Sequence, residues 1–158
     1  MEKEMKSEFT QTLGFKIKIL NTLFEKYLNH KVSAVVPDLT HTQLSVLMHI
    51  YYADNQNILQ RELEEVMYLS HPTIRGIVKR LNKLSYIECK KISSDKRQTV
   101  LELTSKGKSL IKNNNEDLTR ALKYTEFVLD KNMTSSQKEE LMNQMDNLIE
   151  NFIKSKEE

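Results

Sequence analysis

Residues that break helices are scarce in this chain. Its 158 residues include only 3 glycines and 2 prolines. Glycine and proline punctuate helices and supply most tight turns, so their scarcity leaves long segments that nothing interrupts. A sandwich or barrel of many short strands needs far more turns and is disfavoured. The sequence therefore predicts a mainly α-helical fold.

Within these segments apolar residues recur every three or four positions, which is the period of an amphipathic helix. The first such stripe runs from Phe9 through Leu20 to Tyr27 and predicts a helix over about 9–30. The same period predicts helices over about 40–54, 60–67, 70–84 and 105–129, and a last one from 134 onward.

Capping chemistry supports three of these helix starts. Thr40 with Gln43, and Thr134 with Gln137, have the spacing of a capping box, in which each side chain binds the other residue's backbone N–H. Ser70 is a favoured N-cap, and a proline is tolerated in the first turn that follows it. The starts near residues 40, 70 and 134 are therefore well defined.

The period changes to two around residue 90. Ile87 and Cys89 alternate with Glu88 and Lys90. After the polar segment 93–96, Thr99, Leu101 and Leu103 alternate with Val100 and Glu102. This pattern predicts a small two-stranded β-hairpin over 87–103. It places Cys89 on the apolar side beside Ile87, where a thiol is usually inert.

Other features exclude whole classes of protein. A single cysteine excludes an intrachain disulfide framework and a cysteine-rich zinc site. No apolar run approaches the roughly 20 residues that cross a bilayer. The first thirty residues carry several glutamates and lack the apolar core of a signal peptide. We expect a soluble cytoplasmic protein with no membrane partner.

The charge is distributed unevenly. The chain as a whole has a formal net charge of +2, but residues 70–98 hold eight cations and two anions, a net +6, against −4 elsewhere. A basic segment on an acidic body suits a polyanionic partner such as nucleic acid. A lysine-rich solvated surface is the alternative. A helix, a turn, a basic helix and a basic hairpin, in that order, form the layout of a winged helix-turn-helix, which favours double-stranded DNA.

The motifs in this region resemble those of the MarR family of winged-helix transcriptional regulators. The resemblance is carried by LTHTQLSVL at 39–47, Glu62-Leu63, SHPTIRGIVKRL at 70–81, the wing motif Asp95-x-Arg97, and Leu103-Thr104-x-x-Gly107. The resemblance implies an N-terminal dimerisation helix within 1–38, a winged helix-turn-helix domain over 39–104, and C-terminal dimerisation helices over 105–158. The wing motif followed by Leu-Thr-x-x-Gly is its most specific part.

By this resemblance the protein would be a homodimeric, sequence-specific DNA-binding regulator that acts as a ligand-responsive repressor on a pseudo-palindromic operator. Helix 70–84 would enter the major groove and wing 87–103 the minor groove. The DNA-contacting residues would be Ser70, His71, Thr73, Arg75, Lys79, Lys83, Asp95, Lys96 and Arg97. Arg80 is expected to face the domain instead.

The resemblance also implies that the apolar stripes of the terminal helices pair between two subunits. The residues concerned are Leu13, Ile17, Leu20, Leu141, Met145, Leu148 and Phe152. The alternative is that these helices fold back on their own domain, because a stripe alone does not distinguish self-packing from partner packing.

Regulation in the family points to three alternatives. A small aromatic effector could be held by Phe24, Tyr27, Tyr51 and Tyr52, although such residues more often belong to a core. Cys89 is the one candidate for thiol sensing. His30 and His41 flank a linker where a zinc site could form with a carboxylate, but no metal-ligand spacing supports it, so no metal or cofactor is expected.

Two residues depart from the family pattern. Gly76 stands where a polar residue is common, so base preference does not transfer. Ser85 stands where glycine often follows the recognition helix, which leaves the helix exit undefined. No catalytic triad, phosphate loop or metal motif indicates an enzyme. A winged helix that binds protein rather than DNA remains the alternative function.

Overall fold

The first helix is set by the residues on either side of it. The computed structural model describes residues 9–92 and 98–155, and its first named helix, α1, spans Leu13–Val35. The Thr12 hydroxyl accepts a hydrogen bond from the Phe15 N–H at 3.3 Å, which fixes the start. Pro37 disfavours helical backbone at Val36, which adopts φ −133° and ends the helix. The helix thus begins and ends later than the expected 9–30.

The other elements follow the predicted order, apart from a 3-10 turn and a first strand that the sequence did not predict. They are α2 (His41–Tyr52), a short 3-10 turn (Asp54–Gln56), β1 (Asn57–Leu59), α3 (Gln60–Met67), α4 (His71–Lys83), β2 (Ile87–Lys91), β3 (Thr99–Leu103), α5 (Ser105–Asp130) and α6 (Ser135–Lys154). The mainly helical fold with a small β element is confirmed.

The expected caps are present. Thr40 and Gln43 form the full capping box before α2, and Thr134 and Gln137 form it before α6. Ser70 is the N-cap of α4 and accepts from the Thr73 N–H at 3.4 Å. At the start of α3, where the sequence offers no capping side chain, the Glu62 carboxylate accepts from the Leu59 N–H at 3.0 Å.

The hairpin belongs to a three-stranded antiparallel sheet with strand order β1-β3-β2. Strand β3 is central, with Ile58 opposite Leu101 on one side and Cys89 opposite Leu101 on the other. Strand β1 was not predicted because its three residues are too few to display an alternation. Because β1 pairs with β3 and leads directly into α3, it connects the start of α3 to the wing.

One apolar core holds the winged region together. Its buried members come from the helices α2 to α5, the strands β2 and β3, the α1–α2 linker and the α4–β2 turn: Val36, Leu39, Val46, Leu47, Ile50, Leu63, Ile74, Val78, Leu81, Tyr86, Ile87, Leu101, Leu103 and Ile111. A smaller cluster of Val32, Leu44 and Leu118 joins α1, α2 and α5. The first of these cores fixes α4 rigidly against the rest of the domain.

The chain divides into two compact units, with the boundary within α5 after Thr119. The second unit contains the end of α5 and all of α6. Within it the Lys138 ammonium lies 2.8 Å from Asp130 and 3.4 Å from Glu126. Hydrogen bonds to these two carboxylates raise the pKa of Lys138. None of the helices in the described residues is long and apolar enough to cross a membrane.

Candidate nucleic-acid interface

Helix α4 has one buried face and one exposed polar face. Ile74, Val78 and Leu81 are buried in the core. The exposed residues include every expected DNA-contacting residue that lies on the helix or at its N-cap: Ser70, His71, Thr73, Arg75, Lys79 and Lys83. The helix therefore presents hydroxyl, imidazole, guanidinium and ammonium groups from a backbone that the core holds in place.

The two hydroxyl groups at the start of α4 bind each other. The Ser70 and Thr73 side-chain oxygens lie 2.8 Å apart, in addition to the capping bond from the Thr73 N–H. Each hydroxyl can still accept or donate one further bond. Ser70 is thus both a cap and part of the exposed polar face.

His71 has a partner that the sequence did not reveal. Its Nδ1 lies 2.7 Å from Glu64 Oε1, and the same oxygen accepts from the Gln60 amide at 3.0 Å. Glu64 is on α3, seven positions before His71. No periodic signal links residues on two helices across a turn, so sequence reasoning missed Glu64 and Gln60.

A cavity with a volume of about 660 Å³ lies beside the start of α4. Arg61, His71, Arg75 and Lys91 contribute basic or potentially basic groups to its lining, together with Glu64. The cavity borders Gln98, the first described residue after the wing tip. Positive charge is thus concentrated between the start of helix α4 and the end of the wing strands that leads to the wing tip.

Arg80, which was expected to face the domain, is exposed but contacts the domain at one point. Its guanidinium donates to the Asp38 backbone oxygen at 3.4 Å, on the α1–α2 linker. This contact separates Arg80 from the cations of the exposed polar face.

The exit of α4 is well defined, in contrast to what the missing glycine suggested. The Tyr86 N–H donates to the Leu81 oxygen at 3.0 Å and the Ser85 N–H to the Asn82 oxygen at 2.9 Å. These two bonds form a Schellman motif. Ser85 adopts the left-handed φ of 60° that the motif requires, so serine occupies a position that favours glycine.

On the two strands of the wing, part of the positive charge is neutralised by an acidic residue. Lys90 pairs with Glu102 across the two strands, and this hydrogen bond is the main reason that the pKa of Lys90 is raised. Lys91 donates to Thr99 at 2.8 Å. Asp95, Lys96 and Arg97, the expected residues of the wing tip, lie outside the described residues.

The Leu-Thr-x-x-Gly motif closes the base of the wing. The Thr104 hydroxyl donates to the Ser85 oxygen at 2.7 Å and accepts from the Gly107 N–H at 3.1 Å. Lys106 donates to the Leu84 oxygen at 2.7 Å. The start of α5 is thereby joined to the exit of α4.

The expectation that Cys89 is buried is wrong. Cys89 is exposed, and in β2 only Ile87 is buried. Alternation predicts which side of a strand is apolar, but it does not show how far along the strand another element covers that side. Neighbouring atoms still desolvate the thiol enough to raise its pKa, with Lys91 partly opposing the effect.

The four aromatic residues expected to hold an effector differ in how far they are buried. Phe24 and Tyr27 are half-buried on α1, and the Tyr27 hydroxyl is buried with no hydrogen-bond partner among the described residues. Tyr51 packs against the main core, and its ring meets Tyr52 edge-on at 5.2 Å. Tyr52 itself is 68% exposed. The pocket stays a prediction.

The histidines considered for zinc do not lie in a ligand cluster. His41 Nδ1 lies 3.8 Å from Glu25 of α1, while His30 is exposed. In residues 9–92 and 98–155 no three His, Cys, Asp or Glu side chains come close enough to share a metal ion.

Apolar side chains are exposed on both terminal helices. The residues expected at a dimer interface, Leu13, Ile17, Leu20, Leu141, Met145 and Phe152, are exposed in the single chain, and Leu148 is half-buried. Such stripes along a soluble helix are usually covered by another protein surface.

Comparisons with known proteins agree with this geometry. The MarR family model matches residues 38–98. The transcriptional regulator SarZ of Staphylococcus epidermidis is 29% identical over 120 residues, which cover 75% of this chain and 76% of SarZ.

Solved structures show the same fold. A MarR-family regulator of Streptomyces coelicolor in complex with DNA superimposes with a TM-score of 0.76 at 20% identity, covering 88% of this chain and 85% of that one. The MepR–DNA complex of S. aureus gives 0.77 at 16% identity, covering 89% and 98%. The matched family model, the relative and the shared fold make this chain similar to the winged-helix transcriptional regulators of the MarR family.

Proposed function

We propose that the protein is a cytoplasmic homodimer that binds a pseudo-palindromic operator and represses transcription until an effector releases it. The observation that carries the proposal is helix α4, whose exposed face is polar and basic while its other face is fixed in the core. Relatives of the same fold have been solved in complex with DNA, which supports this use of the helix.

In the proposed complex the start of α4 enters the major groove. Arg75 can form two hydrogen bonds to guanine O6 and N7, which discriminates that base by about 1–3 kcal/mol. Lys79 and Lys83 lie further along the helix and suit phosphate contacts, which release counterions and make affinity fall with salt. Arg97 of wing 87–103 would enter the neighbouring minor groove, where narrow A·T-rich geometry concentrates negative potential.

Dimerisation supplies a second copy of α4, which would bind the second half-site of the operator. Two copies of α4 about 34–36 Å apart would read sites one helical turn apart on the duplex. Exposed Leu20 on α1 and exposed Met145 on α6 support the proposal that both terminal helices pair with a partner copy.

A small aromatic effector is the proposed releasing signal. The buried Tyr27 hydroxyl, which has no partner among the described residues, offers a hydrogen bond to a phenol or carboxylate. Tyr51 and Phe24 supply half-buried ring surface. Phenol and benzoate are suitable probes: binding should raise the melting temperature and weaken DNA binding, and Tyr27→Phe should reduce both effects.

DNA binding is tested by selecting duplexes from a random pool and measuring their affinity by fluorescence anisotropy at several salt concentrations. Arg75→Ala should weaken binding by about 1–3 kcal/mol and relax the preference at one base pair. Lys79→Ala and Arg97→Ala should weaken binding to all sequences and lower the salt slope by about one each. Lys112→Ala, an exposed cation on α5, is the control.

Two outcomes would contradict the proposal. Failure of the parent protein to enrich any sequence, together with salt-insensitive affinity, would favour a winged helix that binds protein. Binding that is unchanged by all three substitutions would place the DNA on another surface.

The dimer is tested separately by mass measurement in solution. Met145→Glu puts a charge in the apolar stripe of α6 and should yield monomers. Asn143→Glu lies on the opposite side of the same helix, about 200° around from Met145, and should leave the dimer intact. A parent protein that is monomeric at micromolar concentration would overturn the proposed assembly.

A further inference from the structure

Glu64 is a carboxylate on a surface that is otherwise basic. Its side chain is only 18% exposed, whereas that of His71 is 60% exposed. Glu64 Oε1 lies 2.7 Å from His71 Nδ1 and also accepts from the Gln60 amide, which holds the carboxylate in place from the same helix. An acidic residue next to a DNA-facing helix would repel phosphate, so its presence calls for a role.

The contact determines what the imidazole can do. An ionised carboxylate only accepts hydrogen bonds, so His71 Nδ1 must carry the hydrogen. The other ring nitrogen, Nε2, is then the atom left for a ligand. In the neutral ring Nε2 is an acceptor; in the protonated ring it is a donor. Phosphate oxygens and guanine O6 and N7 accept and do not donate, so only the protonated ring can bind them.

We propose that Glu64 is a positioning residue that holds His71 with Nε2 directed at the DNA, so that DNA binding takes up one proton at His71. The inference rests on the proposed function, because it assigns a role within the same DNA-binding surface. Glu64 would touch no DNA itself and would act only through His71.

Some charged groups around His71 favour a positive charge on its ring, and others oppose it. Among the described residues that line the same concavity, Arg61, Arg75 and Lys91 are cations and Glu64 is the one anion. Arg61 is paired with Glu65 at 3.0 Å, and Lys91 donates to Thr99. The cations oppose a positive imidazole, whereas Glu64 and an arriving phosphate favour it. A phosphate therefore completes the set of charges that makes the protonated ring stable.

The test is the pH dependence of DNA affinity between about pH 6 and 8 at constant ionic strength, a range in which histidines change charge. The probe is the duplex selected from the random pool. Between these two pH values Kd of the parent should rise with pH, and the rise should be about three- to tenfold larger than that of His71→Gln. The uptake of one proton changes affinity by at most about tenfold per pH unit, which sets this scale.

Glu64→Gln should flatten this dependence. The side-chain amide that this substitution introduces can donate to Nδ1, which leaves the hydrogen on Nε2 even in the neutral ring. In His71→Gln the further change Glu64→Gln should leave the pH dependence unaltered. Glu65→Gln removes the same charge from an exposed position on the same helix, so it should shift affinity at every pH and retain the parent's slope.

A separate measurement uses the free protein. Nitrogen chemical shifts should show the neutral His71 ring with its hydrogen on Nδ1 in the parent and in Glu65→Gln. Equal pH slopes in the parent and His71→Gln, or an Nε2–H ring in the parent, would overturn the inference while leaving DNA binding established. A parent that binds no duplex at low salt would overturn the proposed function itself.

Discussion

Gly107 lies directly against the backbone oxygen of Tyr86. A Cβ at position 107 would overlap this oxygen and lie 3.0 Å from Leu103 Cδ2. The oxygen belongs to the backbone and also accepts from the Thr104 N–H at 3.1 Å, so it has little freedom to move. Glycine at 107 therefore allows α5 to begin in contact with Tyr86, the last residue of the Schellman motif.

Gly107→Ala should lower the free energy of unfolding by about 1–3 kcal/mol, the usual penalty for forcing an extra group into a packed site. The measurement is chemical denaturation followed by circular dichroism. Gly76→Ala is the matched control, since nothing lies within 4 Å of a Cβ there. That change removes a helical glycine and should stabilise by about 0.5–1 kcal/mol. Equal effects of the two substitutions would contradict the close packing at Gly107.

Thr104→Val should destabilise the junction between α4 and α5. The Thr104 hydroxyl donates to the Ser85 oxygen and accepts from the Gly107 N–H, and valine retains the shape while removing both bonds. We expect a loss of about 1–2 kcal/mol, mainly from the missing cap. Thr104→Ser keeps the hydroxyl and should lose less than half as much. If serine and valine are equally destabilising, the methyl group and not the hydroxyl is what matters.

Ser85→Gly should stabilise the protein. Ser85 holds φ at 60°, a region where residues with a side chain are strained by about 1–2 kcal/mol and glycine is not. Part of that gain is offset by the greater freedom of glycine in the unfolded chain, so we expect a net increase of about 0.5–1 kcal/mol. Denaturation midpoints would measure it, with Ser85→Ala as the control that keeps the strain. A less stable glycine variant would show that the serine side chain contributes a bond worth more than the strain.

The sequence predicts best where local chemistry decides the structure. Periodicity and the Ser70 cap predict a helix over 70–84, and α4 spans His71–Lys83. The capping boxes at Thr40 and Thr134 are confirmed because they too depend only on residues three positions apart. Which residues of α4 are exposed also follows from periodicity.

Contacts between distant parts of the chain are not predictable in this way. The Glu64–His71 pair joins two helices across a turn, and β1 forms only because β3 offers it an unpaired edge. Ser85 shows that a preferred residue is not a required one: the bonds of the Schellman motif outweigh the strain at serine. The burial predicted for Cys89 depends on what covers the strand, which alternation does not encode.

The exposure of Cys89 leads to a prediction about thiol chemistry. Partial desolvation raises the pKa of this thiol, and Lys91 offsets only part of the rise. The thiolate is the reactive form, so at about pH 7 Cys89 should hold less of it than an ordinary cysteine. Iodoacetamide should label the folded protein more slowly than it labels glutathione, and the rate should rise about tenfold per pH unit up to the raised pKa.

Mass spectrometry after timed labelling at about pH 7, 8 and 9 measures this rate, with Cys89→Ser as the blank. Slow labelling argues against rapid oxidant sensing at this residue, because peroxide also reacts with the thiolate. Labelling at neutral pH as fast as that of glutathione would contradict the assigned direction of the shift. It would also return thiol-based regulation to consideration, since Cys89 is exposed on a strand of the wing, which we propose contacts DNA.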